Sequence, residues 1–135
     1  MPERSFSAYL TESLARIEHD APQVYAQIGL RLGRRVLSIE VSGELLGVSA
    51  ERGRLVLGPV RDGALVSAVT SRRDIIALAD GERTLEQAAV EERVKLVGSA
   101  EDLAISFDAL AAYLNGAARS PDLGALMDAF RRDVG

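Results

Sequence analysis

The sequence contains no cysteine and only one histidine, His19. A disulfide, a thiolate metal site and a cysteine nucleophile are therefore excluded, and a transition-metal site is disfavoured because such sites combine several Cys or His ligands. The chain also lacks Trp, and aromatic residues make up only 4% of it. No apolar run approaches the ~20 residues of a membrane span, and the N-terminal segment has no apolar stretch of signal-peptide length. We therefore expect a soluble, cytoplasmic protein.

The sequence also has no excess of positive charge, since its formal net charge is −4. Nucleic-acid binding is disfavoured because it needs a basic face. Lys95 is the only lysine among the 16 basic residues, and this arginine and alanine bias indicates a bacterial origin. The arginine pairs at 34–35, 72–73 and 131–132 are interpreted as solvated surface features. With 47% hydrophobic and 27% charged residues, the 135 residues predict one folded domain over 1–135.

Residues 1–33 predict two helices. Apolar residues recur at spacings of four, four and three from Phe6, which places them on one face of the first helix. The second helix is predicted to begin with Asp20 as its N-cap and Gln23 at capping-box spacing. Gly33 is predicted to end it.

Residues 35–70 change to the alternating period of strands. About four strands follow one another at intervals of about ten residues, separated by Gly43, Gly53 and Gly63. This spacing predicts an antiparallel meander. Pro59 is expected at a strand end or on an edge, because proline cannot donate to a strand ladder.

Residues 71–135 return to helical spacing, with one further strand at 93–97. Ser71 and Thr84 each have the position of an N-cap before a short helix. A long helix is predicted from Glu101 to about Asn115, with Gly116 weakening its end. A last helix is predicted from Ser120-Pro121-Asp122 to about Arg132. Helices, then a sheet, then helices make an α+β domain.

The segment "VGSAED" raises the question of a nucleotide-binding loop, because a strand, a glycine and a helix follow one another. It has one glycine, Gly98, and no lysine after it, whereas a phosphate loop uses several glycines and a lysine. Ser99 stands three residues before Asp102, and two carboxylates in the first turn would repel a phosphate. The segment therefore predicts a capped turn.

Other catalytic constellations are not found in the sequence. His19 stands between two acids at a helix end, and no G-x-S-x-G motif accompanies it. The paired carboxylates lie at helix ends or on polar faces, where a general acid/base pair is not expected. We predict no catalytic residue, no metal ligand and no cofactor.

The long helix is apolar around most of its surface. Leu103, Phe107, Leu110 and Leu114 form one face, and Tyr113 extends the apolar surface beyond it. Two interpretations are open. The helix is either a central element packed on both sides, or part of its surface lines an apolar ligand cavity together with the last helix.

The segment from Ala64 to Ala104 resembles the sterol carrier protein 2 family. Its block "ALADGERTLEQAAVEERVKLVGSAEDL" matches the family pattern in character, with Gly81 where a helix stops and 95–98 where the last strand gives way to the long helix. Over 5–60 the agreement is in the order of elements. The resemblance implies a five-stranded mixed, mostly antiparallel sheet covered by helices on one face, with an apolar tunnel between them.

The family binds sterols, fatty acids, fatty acyl-CoA and other lipids, usually without catalytic residues of its own. The resemblance therefore implies a non-catalytic lipid carrier. The chain departs from the family in lacking a peroxisomal C-terminal signal, and its N-terminal helical part is longer than in the shortest members. The cavity is expected between the sheet and the last two long helices, lined by Ile76, Phe107, Leu110, Leu114, Leu126, Met127 and Phe130.

Two other hypotheses stay open beside the carrier. The chain could be an accessory module that stabilises a partner lipid-handling enzyme or delivers substrate to it, with a homodimer through the last helix as one form of assembly. It could also be a small enzyme that uses the cavity, and Tyr113 is then the one candidate for an ionisable group.

Overall fold

The computed structural model describes residues 4–60, 64–121 and 123–134. Six helices and five strands occur in the order α1 Phe6–Asp20, α2 Pro22–Leu32, β1 Leu37–Val41, β2 Glu44–Glu51, β3 Arg54–Gly58, β4 Val66–Thr70, α3 Arg72–Ala79, α4 Leu85–Val90, β5 Lys95–Val97, α5 Ala100–Ala118 and α6 Leu123–Val134. In this part of the chain, no helix combines the length and the apolarity that crossing a membrane requires.

The five strands form one mixed sheet in the order β3-β2-β1-β4-β5. The first three strands are an antiparallel meander, as predicted. The prediction that β4 continues the meander is wrong, because β4 lies beside β1 and runs parallel to it, with Leu37 opposite Val66. This placement buries Val66 beside β1, and such a crossover leaves no signal in strand spacing. β5 completes the sheet antiparallel to β4.

The chain after β3 passes over the face of the sheet at Gly47. An ideal Cβ on Gly47 would lie 3.0 Å from the Pro59 carbonyl oxygen and 3.2 Å from the Val60 Cα. Only glycine leaves room for this close approach. Pro59 directly follows the last residue of edge strand β3, as predicted. The turn predicted at Gly63 lies outside the described residues.

Local capping signals are confirmed at three helices. The side chains of Ser71, Thr84 and Ser99 accept hydrogen bonds from the backbone amides three residues on, and Thr84 forms a full capping box with Gln87. Ser99 therefore belongs to the capped turn that the sequence predicts. Gly33 is the C-cap of α2 with a φ of 58°, also as predicted.

The predicted capping role of Asp20 is wrong. Asp20 is the last residue of α1, and α2 begins at Pro22 without a side-chain cap. The Asp20 carboxylate instead accepts a hydrogen bond from Ser120 Oγ, which connects the end of α1 with the segment before α6. The Asp20 carboxylate, which the local pattern assigned to helix capping, is thus engaged in a contact between distant segments instead.

Gly116 does not weaken the end of α5, since the helix continues through it to Ala118. An ideal Cβ on Gly116 would lie 2.9 Å from Val24 Cγ1 and 3.0 Å from Ile17 Cγ2. The glycine therefore allows α5 to approach α1 and α2 closely, and it marks a packing contact rather than a stop.

The buried core lies between the helices and one half of the sheet. Two clusters of buried side chains form it, and half-buried residues of β1, β2, β3 and α5 pack against them. We call this region the filled half. Its buried members are Leu14, Ile17, Ala21, Val24, Tyr25, Ile28, Leu32, Leu46, Val48 and Ala109.

Tyr113 packs against both clusters of the filled half. Its hydroxyl lies 2.7 Å from Ser13 Oγ, which itself donates to the Leu10 carbonyl, so Tyr113 is the donor in this pair. Burial raises the pKa of the Tyr113 hydroxyl.

Tyr113→Phe is expected to make the fold less sensitive to alkaline pH. The folded protein keeps the Tyr113 proton to a higher pH than the unfolded chain does. Tyr113 therefore does not change the free energy of unfolding below pH ~10, and it lowers that free energy as the pH rises from ~10 through the folded-state pKa. The slope for one such proton is ~1.4 kcal/mol per pH unit. Urea unfolding of both proteins at pH steps above neutrality measures it. Equal slopes in wild type and variant would contradict this assignment.

Candidate ligand-binding site

The seven residues predicted to line a cavity all lie outside the two clusters of the filled half. Six of them are half-buried, and only Phe130 is buried, at 4% exposure. Ile76 is on α3, and the others are divided between α5 and α6. The six half-buried members of the predicted lining therefore lie on these three helices and belong to neither cluster.

Helix α5 has two different apolar faces. Ser106, Ala109 and Gly116 are buried, and α5 packs chiefly against α2. Phe107, Leu110 and Leu114 are half-buried and recur at the spacing of one helix face. The first face is small and closes against another helix, whereas the second is bulky and remains partly uncovered.

The uncovered face of α5 begins at the inner side of β4. An ideal Cβ on Gly98 would lie 3.3 Å from Val66 Cγ2 and 3.5 Å from Leu103 Cδ2, so both side chains approach Gly98. Helix α5 contacts β4, and α3 contacts both α4 and α6. The region bounded by β4, β5, α3, α5 and α6 is called the open half below. It also contains half-buried Ile75, Leu78 and Leu96.

Phe130 anchors α6 to α1. Its ring centroid lies 5.0 Å from that of Tyr9 in an edge-on arrangement and 6.2 Å from that of Phe6. Leu126 and Met127 precede Phe130 by one turn of α6 and are half-buried. The structure therefore separates Phe130, a packing residue, from Leu126 and Met127, which remain available as lining.

The interpretation of Arg72 as a solvated surface residue is wrong. Arg72 is only 9% exposed, its guanidinium lies 5.3 Å from the centre of the Phe130 ring, and its Nη2 donates to the Arg4 carbonyl at 2.7 Å. Its Nη2 also lies 3.9 Å from a Glu44 carboxylate oxygen. A buried arginine beside aromatic rings stabilises the α1–α3–α6 junction, and the sequence shows only an Arg-Arg pair at a helix start.

Polar contacts hold α6 at both ends of this junction. The Tyr9 hydroxyl donates to the Asp133 carboxylate, and Arg131 pairs with Asp80 of the α3 C-terminus. The pKa of Tyr9 is raised by burial and by the adjacent Asp133 carboxylate. These two contacts tie α6 to α1 and to the end of α3.

Two shallow surface depressions occur elsewhere. One, of about 510 Å³, is lined by residues of 82–91, and the other, of about 700 Å³, by residues of 51–56. Neither includes a residue of the predicted lining. The apolar tunnel implied by the resemblance therefore stays a prediction, and the open half is its proposed place.

His19 is exposed at the end of α1, as predicted, with 87% of its side chain accessible. Its Nδ1 lies 2.9 Å from an Asp20 carboxylate oxygen. Hydrogen bonds from Ser120 and His19 lower the pKa of Asp20. The only histidine thus lies exposed at the end of α1, beside the Asp20–Ser120 contact.

The five-stranded mixed sheet and the helices packed against it define an α+β domain. Among solved structures, the chain is similar to UbiJ-SCP2, a ubiquinone synthesis protein, with a TM-score of 0.57, 19% identity and coverage of 84% of this chain and 97% of that one. It is also similar to sterol carrier protein domain 2 of Helicoverpa armigera, with a TM-score of 0.54, 15% identity and coverage of 84% and 95%. The described part of the chain has the sterol carrier protein 2-like fold, which confirms the fold that the resemblance implied.

Sequence comparisons give no match. Neither a protein-family model nor a curated protein sequence matches the chain. The sec-alkylsulfatase Pisa1 from Pseudomonas sp. matches over 55% of this chain, with a TM-score of 0.45 and 18% identity, and this chain spans only 12% of that enzyme.

Proposed function

We propose that this protein is a non-catalytic carrier that binds an apolar lipid, of the sterol, fatty acid or fatty acyl type, in its open half. One observation carries the proposal: the bulky apolar residues of α5, α3 and α6 are half-buried and belong to neither core cluster. An acyl chain or sterol placed there would remove their exposed surface from water. Each buried CH₂ group of the ligand would contribute ~0.8 kcal/mol.

The fold supports the same proposal. Two structures of similar fold, including the one from Helicoverpa armigera, are described as sterol carrier proteins. The residue named for an enzymatic alternative does not favour it. Tyr113 donates its hydroxyl to Ser13 and packs against both clusters of the filled half, so its one ionisable group is already engaged there.

Native mass spectrometry of the protein as purified, followed by solvent extraction and lipid analysis, tests the proposal. We expect a stoichiometric mass adduct that extraction identifies as an acyl lipid or a sterol-like molecule. A mass equal to that of the bare chain, with no uptake of a fluorescent fatty acid, would contradict the carrier function.

Met127→Trp is expected to weaken lipid binding roughly tenfold or more, because an indole on α6 would occupy space in the open half that the lipid needs. Its melting temperature should stay close to that of the wild type, since Met127 is half-buried and outside the core clusters. Titration with a fluorescent fatty acid measures the affinity.

Leu30→Trp is the matched control for this substitution. Leu30 lies on α2 and is 80% exposed, so an indole there touches neither half of the interior. Because the natural chain has no Trp, each variant carries one, and their emission spectra are directly comparable. Equal loss of binding in both variants would argue against a site beside Met127.

An accessory role is the second candidate, favoured by the similarity to UbiJ-SCP2, which is described as a ubiquinone synthesis protein. The lipid-loaded chain would then present its ligand to a separate enzyme. This candidate predicts that a lipid-modifying enzyme from the same genome gains activity on adding the loaded protein, and that Met127→Trp abolishes the gain.

A further inference from the structure

The face of the sheet opposite the core clusters carries exposed apolar residues. Inward-facing Leu46, Val48 and Val66 are buried, and the residues that alternate with them point to the other side. We call that side the outer face. On it Leu45 is 57%, Val69 38% and Val97 61% exposed, and Leu65, just before β4, is 50% exposed.

One row across the outer face has a self-complementary pattern of charge. The strand register places Glu40 of β1 beside Val69 of β4, and Val69 beside Lys95 of β5. A negative group and a positive group thus flank an apolar one. Two strand spacings of ~4.8 Å separate the backbones of the two charged residues. Among the described residues, neither Glu40 nor Lys95 has an ion-pair partner.

We propose that a second copy of this chain docks on the outer face, with a two-fold axis in the interface running along β4. Such an axis places β1 of each copy opposite β5 of the other, because β1 and β5 lie on the two sides of β4. Val69 then meets Val69 of the second copy. Glu40 faces Lys95 of the second copy, and the same pair forms again by symmetry.

The charges on the outer face and the position of the Pro59–Val60 segment favour an axis along β4 over an axis along a neighbouring strand. An axis along β1 would place Glu40 against its own copy and create a like-charge contact. The segment Pro59–Val60 stands above β2 at Gly47, two strands from β4. With the axis along β4, this segment comes to lie one strand beyond edge strand β5 of the second copy.

Charge exchange tests the docking geometry. Glu40→Lys and Lys95→Glu are each expected to weaken self-association roughly tenfold or more, because each creates two like-charge contacts by symmetry. The double variant with both substitutions restores opposite charges and is expected to associate within about twofold of the wild type. Sedimentation velocity from micromolar to millimolar concentration measures association, and circular dichroism confirms the fold of every variant.

Glu82→Lys is the matched control, since Glu82 is exposed in the turn after α3 and changes the net charge as Glu40→Lys does. It is expected to leave association unchanged. A zero-length carbodiimide should in addition join Glu40 to Lys95 between copies, and this peptide pair is easily recognised because Lys95 is the only lysine.

Three outcomes would overturn the proposal. The first is a wild-type protein that stays monomeric at every concentration. The second is a dimer that Glu40→Lys and Lys95→Glu leave intact, which would place the contact elsewhere, for example on α6. The third is a loss of association in the single variants that the double variant does not restore.

Discussion

Gly116→Leu is expected to lower the free energy of unfolding by ~3 kcal/mol or more. A side chain at position 116 would collide with Val24 and with Ile17, and Ile17 is fully buried. Both are β-branched, so neither can rotate away without leaving its preferred rotamer. The loss is a large part of the 5–15 kcal/mol that stabilises a typical domain. Equilibrium urea unfolding followed by circular dichroism measures it.

Gly116→Ala separates packing from helix propensity. Alanine in a helix interior is normally favoured over glycine by ~1 kcal/mol. Here the Cβ itself would lie 2.9 Å from Val24 Cγ1, so we expect a net loss of stability in spite of that preference.

Gly124→Ala in α6 is the control, because an ideal Cβ on Gly124 meets nothing within 4 Å. The same substitution should there be neutral or stabilising by up to ~1 kcal/mol. A stabilising effect at both glycines would show that α5 does not approach α1 and α2 as closely as the structure has it.

Ile17→Ala is expected to destabilise the protein by ~3–4 kcal/mol, whereas Leu110→Ala should cost only ~1 kcal/mol. Ile17 is completely buried within a core cluster, and its removal leaves a closed cavity. Leu110 is half-buried on the uncovered face of α5, and its partial burial removes less surface from water. Urea unfolding of the lipid-free protein gives both values.

The same two variants are expected to rank in the opposite order for lipid binding. Leu110→Ala should weaken fatty-acid binding because a wall of the open half is lost, and Ile17→Ala should leave it near the wild-type level. This reversal distinguishes lining from core, which a single variant cannot do. Equal, large losses of stability in both variants would mean that the open half is ordinary core, and the carrier proposal would fail with it.

Much of the secondary structure could be predicted because its signals are local. Ser71, Thr84 and Ser99 each cap a helix through an amide three residues away, and Gly33 ends α2 through its own backbone conformation. The alternation of 35–58 likewise indicated three paired strands, which two short turns connect. In each case the interacting groups are a few residues apart, so their spacing is visible in the chain.

The same reasoning failed where a distant group competes with a near one. Asp20 has the spacing of a cap, but it accepts from Ser120, a residue from the other end of the chain. The sequence pattern predicts Arg72 on the surface, but aromatic side chains of α1 and α6 cover it. The sequence pattern predicts a weakened helix end at Gly116, but this glycine lies where α5 packs closely against α1 and α2.

The sequence by itself determined the class of the fold, the absence of cysteine chemistry and the helix faces from which a lining could be chosen. Only the tertiary structure decided that β4 joins β1 in parallel and that Phe130 anchors α6 while Leu126 and Met127 stay half-buried. It also decided that the bulky face of α5 is the uncovered one. The physical reason is that periodicity records which residues share a face, whereas burial depends on what packs against that face. That partner is chosen by contacts between segments that lie far apart in the chain.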